Sequence, residues 1–325
     1  MKCRGCYKET SRDLCPGCRK KLFDGKKISA VLSFDAPKAD NLAGFQEHSK
    51  RLSISGVQLK YSLKLDNNKL VLTEKGGQYI LKPVPPTTQY VSIEAAPENE
   101  HLTMQIAEQV FKIKTAANAF VHFKDGAPAY LTRRFDVKPD NTKTLQEDFA
   151  QLTGRTKSSH GEAFKYDGSY TEIGELIHQH VAAALPAVEQ YFELVVFNYI
   201  FSNGDAHLKN FSLYRVASGE YLLTPAYDLM STVIHTPQES DMALNLYSKD
   251  IESSFYSTYG YYGKENFLEL AARLKIMEKR ANRILDHFPA KLDKIKLMVA
   301  KSFLDNAIKS IYIKNVEDKL KRIQQ

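Results

Sequence analysis

Two kinds of hydrophobic periodicity divide the chain, and this division limits its possible folds more than any other feature. Between residues 53 and 135, short apolar segments alternate with polar residues and are separated by the turn sequences DNNK, KGG and DG. Beyond residue 145, helical periodicity predominates, most clearly over residues 188–202. A strand-rich half followed by a helix-rich half predicts an α+β protein with two lobes and a cleft between them. The predicted strands are residues 60–65, 70–73, 79–82, 119–123 and 129–135.

Each half also contains one departure from its own pattern. In the strand-rich half, apolar residues recur at four-residue intervals from Leu102 to Val110, which predicts an amphipathic helix over residues 98–112. In the helical half, residues 211–216 and 221–224 predict a β-hairpin around the turn ASGE.

All four cysteines lie within the first 18 residues, as Cys3, Cys6, Cys15 and Cys18. Each Cys-x2-Cys turn brings two thiolates together, and two such turns form a tetrahedral site of the kind that binds Zn²⁺. Two disulfides are the alternative, but a reducing cytoplasm disfavours them. Because protein ligands fill all four coordination positions, we predict a structural zinc ion that supplies the folding energy of this short segment.

These patterns divide the chain into four parts. We predict a zinc knuckle at residues 1–27, a connector at 28–52, an N-lobe at 53–135 and a helical C-lobe at 136–325.

No run of 18 or more apolar residues occurs and no signal peptide is evident, so we expect a cytoplasmic protein without a membrane partner. The net charge of +7 is concentrated at the two ends of the chain. Basic ends of this kind can attract nucleic acid or an acidic protein partner. Alternatively, their Lys and Arg side chains only keep the outer faces of terminal helices in contact with water.

Three polar residues in the helical half indicate phosphate-transfer chemistry. Asp205 and Asn210 are separated by four residues in a loop between an apolar helix and a short strand, and Asp228 follows the hairpin. Phosphoryl transfer needs a carboxylate beside the attacking hydroxyl, an amide oxygen on Mg²⁺, and a second carboxylate that holds metal at the phosphates. Protein kinases supply these groups in this order and at this spacing. His207 and Lys209 lie inside the same loop, where each has either a catalytic or a structural role.

The strand-rich half supplies candidate residues for binding a nucleotide. The sequence SISGVQ at residues 53–58 precedes the first strand, where its backbone N–H groups could cover phosphates. Lys82 ends the strand YILK, about where kinases place the lysine that binds the α- and β-phosphates. An acid on the following helix would pair with Lys82, and helical spacing leaves Glu98 and Glu100 both open.

Seven segments of the chain together resemble the HipA family of toxin kinases, in the family's order over residues 50–235. They are SISGVQLKYSL, YILKP, ENEHLTMQIA, YLTRRFDV, LQEDFAQLTG, NYIFSNGDAHLKNFSLY and TPAYDLMS. The resemblance implies a bilobal protein-kinase-like fold and phosphorylation of Ser or Thr with ATP and Mg²⁺. It implies that Asp205 is the catalytic base and that Asn210 and Asp228 hold the metal. The expected catalytic set is Asp205, Asn210, Asp228, Lys82 and His207.

The resemblance also implies a regulatory site and an adenine site. In the family, the loop that matches SISGVQ carries an autophosphorylated serine, so Ser53 is the matching residue and Ser55 a second candidate. Arg133 to Phe135 match the hinge between the lobes and are expected to border the adenine. The expected ATP-binding set is Ser55, Gly56, Val57, Gln58, Lys60, Lys82, Glu100, Arg133 and Phe135.

Partners follow from the same resemblance. Family members phosphorylate proteins that include aminoacyl-tRNA synthetases, and they commonly pair with a DNA-binding antitoxin. We therefore expect a protein substrate, an antitoxin and a DNA contact through the antitoxin. Longer members carry an additional N-terminal subdomain, in place of which this chain has the four-cysteine segment. Two other functions stay open: a small-molecule or lipid kinase, and an inactive scaffold that binds nucleic acid or protein through its knuckle and basic ends.

Overall fold

The computed structural model describes residues 1–37, 59–138, 140–248 and 253–325. Its first large element is a five-stranded antiparallel sheet with the strand order β2-β1-β3-β5-β4. The predicted strands are confirmed to within two residues at each end. The strands are β1 Tyr61–Asp66, β2 Lys69–Leu72, β3 Tyr79–Pro83, β4 Asn118–His122 and β5 Pro128–Arg133.

Turn chemistry fixes the register of this sheet. Asn67 and Asn68 join β1 to β2 with φ angles of 44° and 62°, the left-handed pair of a two-residue hairpin turn. Asparagine is among the few residues besides glycine that adopt this conformation readily. The turn pairs Leu65 with Leu70 and Leu63 with Leu72 across the two strands.

The two faces of the sheet contact different parts of the chain. Side chains alternate along a strand, so Leu81 lies on one face of β3 and Lys82 on the other. The face of Leu81 packs against the four-cysteine segment, whose helix α1 Pro16–Phe23 contributes Leu22 and Phe23 to a shared apolar cluster. The opposite face packs against helix α2 Ala96–Ile106. The predicted helix over residues 98–112 is therefore confirmed, and it ends in a wider π-type turn, Ala107–Phe111.

The described residues beyond β5 form mainly helices and connecting loops, with a small antiparallel sheet in the order β6-β7-β8. Its strands are β6 Gln146–Asp148, β7 Ser212–Arg215 and β8 Tyr221–Leu223. The last two are the predicted hairpin, whereas β6 carries no periodic pattern that could have revealed it. The helices are α3 Phe149–Leu152, α4 Lys157–His160, α5 Tyr170–His180, α6 Ala184–Ile200, α7 Ser254–Tyr259, α8 Lys264–Arg273, α9 Glu278–His287, α10 Leu292–Lys301 and α11 Asn306–Arg322.

Helix α6 is the centre of the larger apolar core. Eleven of its 17 residues are buried, because it packs against α5, α9 and α11 on different sides. A helix enclosed in this way is apolar around most of its circumference. Its C-terminal end leads directly into the loop that contains Asp205. Among the described residues, no helix combines the length and hydropathy needed to cross a lipid bilayer.

The first part of the predicted connector packs along the edge of β4. Leu32 N donates to His122 O over 2.8 Å, and His122 N donates to Ala30 O over 2.9 Å. Ile28, Ala30 and Leu32 are all buried. Residues 38–52 of the connector lie outside the described residues, and the division of the chain at residues 27, 52 and 135 stays a prediction.

Candidate active site

Lys82 lies at the centre of a buried cluster of charges. From β3, its Nζ donates to Glu100 Oε1 over 2.5 Å and to Asp228 Oδ1 over 2.6 Å. Lys60, just before β1, donates from Nζ to Asp228 Oδ2 over 3.0 Å. Lys82 and Glu100 are 3% and 2% exposed, so this pair is shielded from solvent. The sheet, α2 and a loop of the helical part therefore meet at these four side chains.

The pKa values in this cluster result from a competition between burial and ion pairing. Burial opposes the charge of Lys82, but Asp228 and Glu100 raise its pKa to about 12. Burial would raise the pKa of Asp228, but Lys60 and Lys82 hold that pKa well below its usual range. Burial raises the pKa of Glu100, and the positive charge of Lys82 opposes this effect. Lys82 is therefore charged and Asp228 ionised at neutral pH.

Glu98 and Glu100, between which helical spacing could not decide, have different surroundings. Glu100 bonds to Lys82, whereas none of the described residues bonds to Glu98 Oε2. Burial raises the pKa of Glu98 to about 7. The geometry therefore selects Glu100 as the partner of Lys82.

Asp228 has an uncommon backbone conformation. Its φ of 56° lies in the left-handed region, which aspartate tolerates better than most residues. Contacts of the preceding residue fix this turn, because Tyr227 Oη donates to Lys209 O over 2.8 Å and also contacts the Ser212 hydroxyl. Asn203 Nδ2 donates to Asp228 O over 3.4 Å. The turn directs the carboxylate of Asp228 toward the two lysines.

Asp205 lies in a loop that is closed by its own hydrogen bonds. His207 N donates to Asp205 O over 2.8 Å and to Asn210 Oδ1 over 3.1 Å. The carboxylate of Asp205 accepts a bond from Tyr166 Oη over 2.5 Å. His207 Nε2 and Lys165 Nζ lie 3.9 and 4.0 Å from Asp205 Oδ1. The loop thus holds Asp205, His207 and Asn210 in one constellation.

The other contacts of His207 and Lys209 favour structural roles for both. Burial lowers the pKa of His207 to about 4, although Asp205 acts in the opposite direction, so the imidazole is neutral at pH 7. Its Nδ1 accepts a bond from Lys209 N over 3.3 Å. Lys209 Nζ forms an ion pair with Asp148 over 2.5 Å, on the strand β6 that was not predicted.

Lys165 lies beside Asp205, with its Nζ 4.0 Å from Asp205 Oδ1. Burial lowers the pKa of Lys165. The positive charge of Lys60 lowers this pKa further, whereas the negative charges of Asp205 and Asp228 act in the opposite direction. Tyr227, next to Asp228, also bonds to Lys209 O of the Asp205 loop, so the two groups of candidate residues lie beside each other. Lys165 and Tyr166 lie in a short turn about forty residues before Asp205. Neither residue has a sequence signal that could have identified it.

Arg133 and Phe135 differ in their relation to this site. Arg133 lies on the face of the sheet that packs against the four-cysteine segment, and its guanidinium donates two bonds of 2.8 Å to Asp24. The two-residue alternation of β5 places this side chain on the face of the sheet opposite Lys82. That Arg133 borders the adenine stays a prediction. Phe135 packs against Tyr227 with ring centroids 5.8 Å apart, which places it beside the site.

Other predicted site residues cannot be located in this way. The loop residues lie outside the described residues, and their roles in ATP binding and autophosphorylation stay predictions. They are Ser53, Ser55, Gly56, Val57 and Gln58.

The donor atoms of the site fit Mg²⁺ and the phosphates of a nucleotide. Asp228 and Asn210 offer carboxylate and amide oxygens, which are the ligands that Mg²⁺ prefers in proteins. Lys60 and Lys82 supply positive charge on the same side of Asp228, where phosphates would need it.

The four cysteines form a second candidate metal site. Their Sγ atoms lie within 4.8 Å of one another. Gly5 N and Cys15 N donate to Cys3 Sγ over 3.4 and 3.2 Å, and such bonds stabilise a thiolate. None of the four, all within described residues 1–37, forms a disulfide. Four convergent thiolates fit a closed, tetrahedral Zn²⁺ site, as the spacing predicted.

Comparisons with solved structures place this fold in the protein-kinase-like class. A chain of the Shewanella oneidensis complex of HipA, HipB and operator DNA matches with a TM-score of 0.64 and 20% identity, over 93% of this chain and 73% of that chain. The Helicobacter pylori proinflammatory kinase CtkA matches with a TM-score of 0.52 and 15% identity, over 82% and 90%. At these identities the likeness shows the fold alone, and it confirms the predicted fold class.

Sequence comparison gives the family. The model of the HipA-like C-terminal domain matches residues 52–295, and the chain belongs to this family. Y4dM of Sinorhizobium fredii, named as a candidate kinase, is 31% identical over 263 residues, which are 75% of this chain and 59% of that protein. The serine/threonine-protein kinase toxin HipA of Shewanella oneidensis is 25% identical over 265 residues, which are 77% of this chain and 58% of the toxin. The chain thus spans less than two thirds of the length of these two relatives.

Proposed function

We propose that the protein is an ATP- and Mg²⁺-dependent serine/threonine protein kinase. The observation that supports this most is the position of Lys82 between Glu100 and Asp228, with Asp205 in the same site. In protein kinases the pair of a strand lysine with a helix glutamate and the metal-binding aspartate must both be in place for transfer to occur. Family membership supports the same class of activity.

In this proposal, Asp205 accepts the proton of the attacking Ser or Thr hydroxyl. Its bond from Tyr166 orients the carboxylate. Burial keeps His207 neutral, so its ring does not form an ion pair with Asp205. An ion pair of this kind would lower the basicity of the Asp205 carboxylate.

Asp228 and Asn210 would hold Mg²⁺, and Lys82 and Lys60 would bind the phosphates. When bound, the metal ion neutralises the charge of the transferred group. Both oxygens of Asp228 are bonded to lysines in this structure. The two lysines must therefore shift from carboxylate toward phosphate when a nucleotide binds, which keeps each buried charge paired.

We propose further that this kinase is the toxin of a toxin–antitoxin pair and acts in the cytoplasm. The name of the Shewanella relative and the complex of HipA with HipB and operator DNA support this. By the same likeness, the partners are an antitoxin and DNA contacted through it. The resemblance of the sequence motifs to the HipA family adds a protein substrate of the aminoacyl-tRNA synthetase kind. Autophosphorylation at Ser53 or Ser55 would add roughly two negative charges beside the phosphate site and so oppose nucleotide binding.

The test is incubation of the purified protein with labelled ATP and Mg²⁺, followed by mapping of the phosphate by mass spectrometry. We expect phosphate on Ser53 or Ser55 in the wild type and none in Asp205→Asn. Asp66→Asn, an exposed aspartate at the end of β1, is the matched control and should behave as the wild type. Transfer to small molecules alone would support a small-molecule or lipid kinase, and no nucleotide binding would support a scaffold. Phosphoproteomics of cells expressing wild type or Asp205→Asn would then identify the substrate.

A further inference from the structure

Tyr7 connects the four-cysteine segment to the helix that carries Glu100. Its Oη bonds to Nδ1 of His101 over 2.8 Å, and the two ring centroids are 4.9 Å apart. Both side chains are buried. Successive residues of an α-helix project about 100° apart, so Glu100 can face Lys82 while His101 faces Tyr7. A displacement of Tyr7 therefore acts on the helical turn that positions Glu100.

The turn between the first two cysteines determines the conformation of Tyr7. Tyr7 follows Cys6 directly, and its N–H donates to Cys3 O over 2.9 Å. Its φ of 62° lies in the left-handed region, which a bulky aromatic residue rarely adopts. Such strain persists only where the surroundings hold the backbone in place. Here those surroundings are the turn that brings the Cys3 and Cys6 thiolates together.

Two further contacts join the four-cysteine segment to the end of the same helix. Gln109 Nε2 donates to Cys6 O over 3.2 Å. Lys21 on α1 forms an ion pair with Glu108. His101 lies in α2, whereas Glu108 and Gln109 lie in the π-type turn that continues it. The four-cysteine segment therefore contacts both α2 and the turn at its end.

Tyr7 also reaches the C-terminal part of the chain. Its ring packs against Phe303 with centroids 5.3 Å apart, and Phe303 stacks on Phe120 at 5.0 Å. Tyr7 belongs to the large helical core, whereas Cys3 and Cys18 belong to the apolar cluster of the sheet. Its ring thus lies between α2, the sheet and the C-terminal helices.

We propose that zinc in the four-cysteine site controls the kinase by positioning α2, with Tyr7 as the positioning residue. This inference rests on the proposed function. The metal holds the Cys3–Cys6 turn, the turn holds Tyr7, and Tyr7 holds His101 and hence Glu100 against Lys82. Loss of zinc releases α2, so phosphoryl transfer is lost although every catalytic residue is intact.

Hydrogen exchange tests the coupling without any need for kinase activity. The protein is compared as prepared with zinc and after metal removal by a chelator. We expect the amides of residues 96–111 to exchange faster without zinc, while those of α6, enclosed in the helical core, serve as the internal reference and do not change. Equal exchange of residues 96–111 in both states would overturn the proposal.

Variants of Tyr7 test the link to activity. Tyr7→Phe removes only the bond to His101, Tyr7→Ala removes the ring as well, and Tyr259→Phe is a control at a site that is 58% exposed. We expect both Tyr7 variants to retain zinc and to lose kcat for autophosphorylation, with Tyr7→Phe within the roughly 5- to 150-fold range of typical coupling energies. Tyr259→Phe should retain the wild-type rate.

The possible results are distinguishable. Should Tyr7→Ala fail to fold, Tyr7→Phe still decides, because it preserves the packing of the ring. A folded, zinc-loaded Tyr7→Phe with the wild-type kcat would overturn the role of Tyr7. A wild type that transfers no phosphate, but whose α2 exchange depends on zinc, would overturn the proposed function and leave the coupling supported.

Discussion

Lys82 links the stability of the protein to its proposed chemistry. Its ammonium bonds to two carboxylates, of which Glu100 is fully enclosed. A buried ion pair contributes little net stability compared with apolar residues of the same shape, but removal of one partner leaves a charge without compensation. The residues that would bind a nucleotide are therefore also residues whose loss the fold tolerates poorly.

The first prediction concerns the removal of this ammonium. Lys82→Met leaves Glu100 buried without a cation, so we expect the free energy of unfolding to fall by about 3–5 kcal/mol and phosphoryl transfer to be lost. Urea denaturation and the autophosphorylation assay measure the two effects. Lys64→Met, at an exposed position of β1, is the control and should change neither. Unchanged stability of Lys82→Met would contradict the buried ion pair.

Glu239 carries a half-buried carboxyl group, placed directly against the loop of Asp205. Its Oε2 accepts a bond from Thr236 over 2.8 Å, and its Oε1 accepts one from Thr232. A Cβ atom at Gly204 would lie only 2.6 Å from Glu239 Cδ. Burial raises the pKa of Glu239 from 4.5 to about 7, although both hydroxyl bonds act in the opposite direction. The folded protein therefore binds a proton here more tightly than the unfolded chain does.

The second prediction is a pH dependence with a definite sign. The contribution of Glu239 to stability is fully present below pH 4.5 and is lost as the pH rises through about 7. Glu239→Gln removes this titration, so its free energy of unfolding should fall less than that of the wild type between these pH values. Urea denaturation across the pH range measures the difference. Glu162→Gln, an exposed control, should follow the wild type. Identical curves for all three proteins would refute the raised pKa.

At the scale of single residues, spacing was sufficient for some parts of the site and insufficient for others. It predicted Lys82, Asp205 and Asp228 as candidates because their order and spacing match the pattern of protein kinases, and the structure pairs Lys82 with Asp228. It could not choose between Glu98 and Glu100, because the choice depends on how the helix is rotated against the sheet. Tyr7 and Lys165 were missed for a similar reason, since their contacts depend only on tertiary packing.

At the scale of elements, the two Cys-x2-Cys turns differ in how much room they leave. A Cβ atom at Gly5 would lie 2.8 Å from Cys18 Sγ, whereas one at Gly17 would lie 4.0 Å from Cys15 Sγ. The first distance requires a ligand to move, and the second is an ordinary contact. The same substitution in two similar turns is therefore a matched test of the metal site.

The third prediction follows from this difference. Gly5→Ala should weaken zinc binding because it displaces the thiolate of Cys18, while Gly17→Ala should bind about one zinc ion per chain, as expected for one four-thiolate site. Metal content after dialysis and the rate of zinc transfer to a chromogenic chelator measure the effect. Equal zinc retention by both variants would contradict the displacement of Cys18 by a Cβ atom at position 5.

Elements were predictable where local chemistry determines them. The hairpin of β1 and β2 follows from its two asparagines, and the strands from alternating burial. Strand β6 was missed because its three half-buried residues are defined by pairing with β7, more than sixty positions away. The π-type turn after α2 likewise has no signal in the spacing of apolar residues.

At the scale of the whole molecule, α2 joins the sheet to the helical part. Asn99 Nδ2 donates to Ser231 O over 2.9 Å, and Asn99 Oδ1 accepts a bond from Ser231 N over 3.2 Å. Thr103 Oγ1 contacts Tyr312 Oη of α11 at 2.9 Å. These bonds are buried, so each polar atom depends on its partner. Glu100 lies between them on the same helix.

The fourth prediction tests this connection. Asn99→Ala removes the acceptor of Ser231 N and one of the two donors to Ser231 O, which keeps its bond from Ile234 N. We therefore expect the free energy of unfolding to fall by about 1–3 kcal/mol and autophosphorylation to decrease. Chemical denaturation followed by two probes, far-ultraviolet circular dichroism and tyrosine fluorescence, measures the loss and shows whether the transition stays cooperative. Asn306→Ala, an exposed asparagine at the start of α11, is the control. A variant as stable as this control would argue against a structural bridge at Asn99.

The strip of chain at residues 30–36 has a consequence for handling the protein. It occupies the free side of β4, with Lys124 N also donating to Phe34 O over 3.0 Å. An uncovered outer strand with its backbone groups unpaired is a template for pairing with another molecule. A shortened version that begins at Leu59 would present both this strand and the apolar sheet surface, and its copies would self-associate as concentration rises. Residues 30–36 and the four-cysteine segment thus shield the outer strand and the apolar face of the sheet from other molecules.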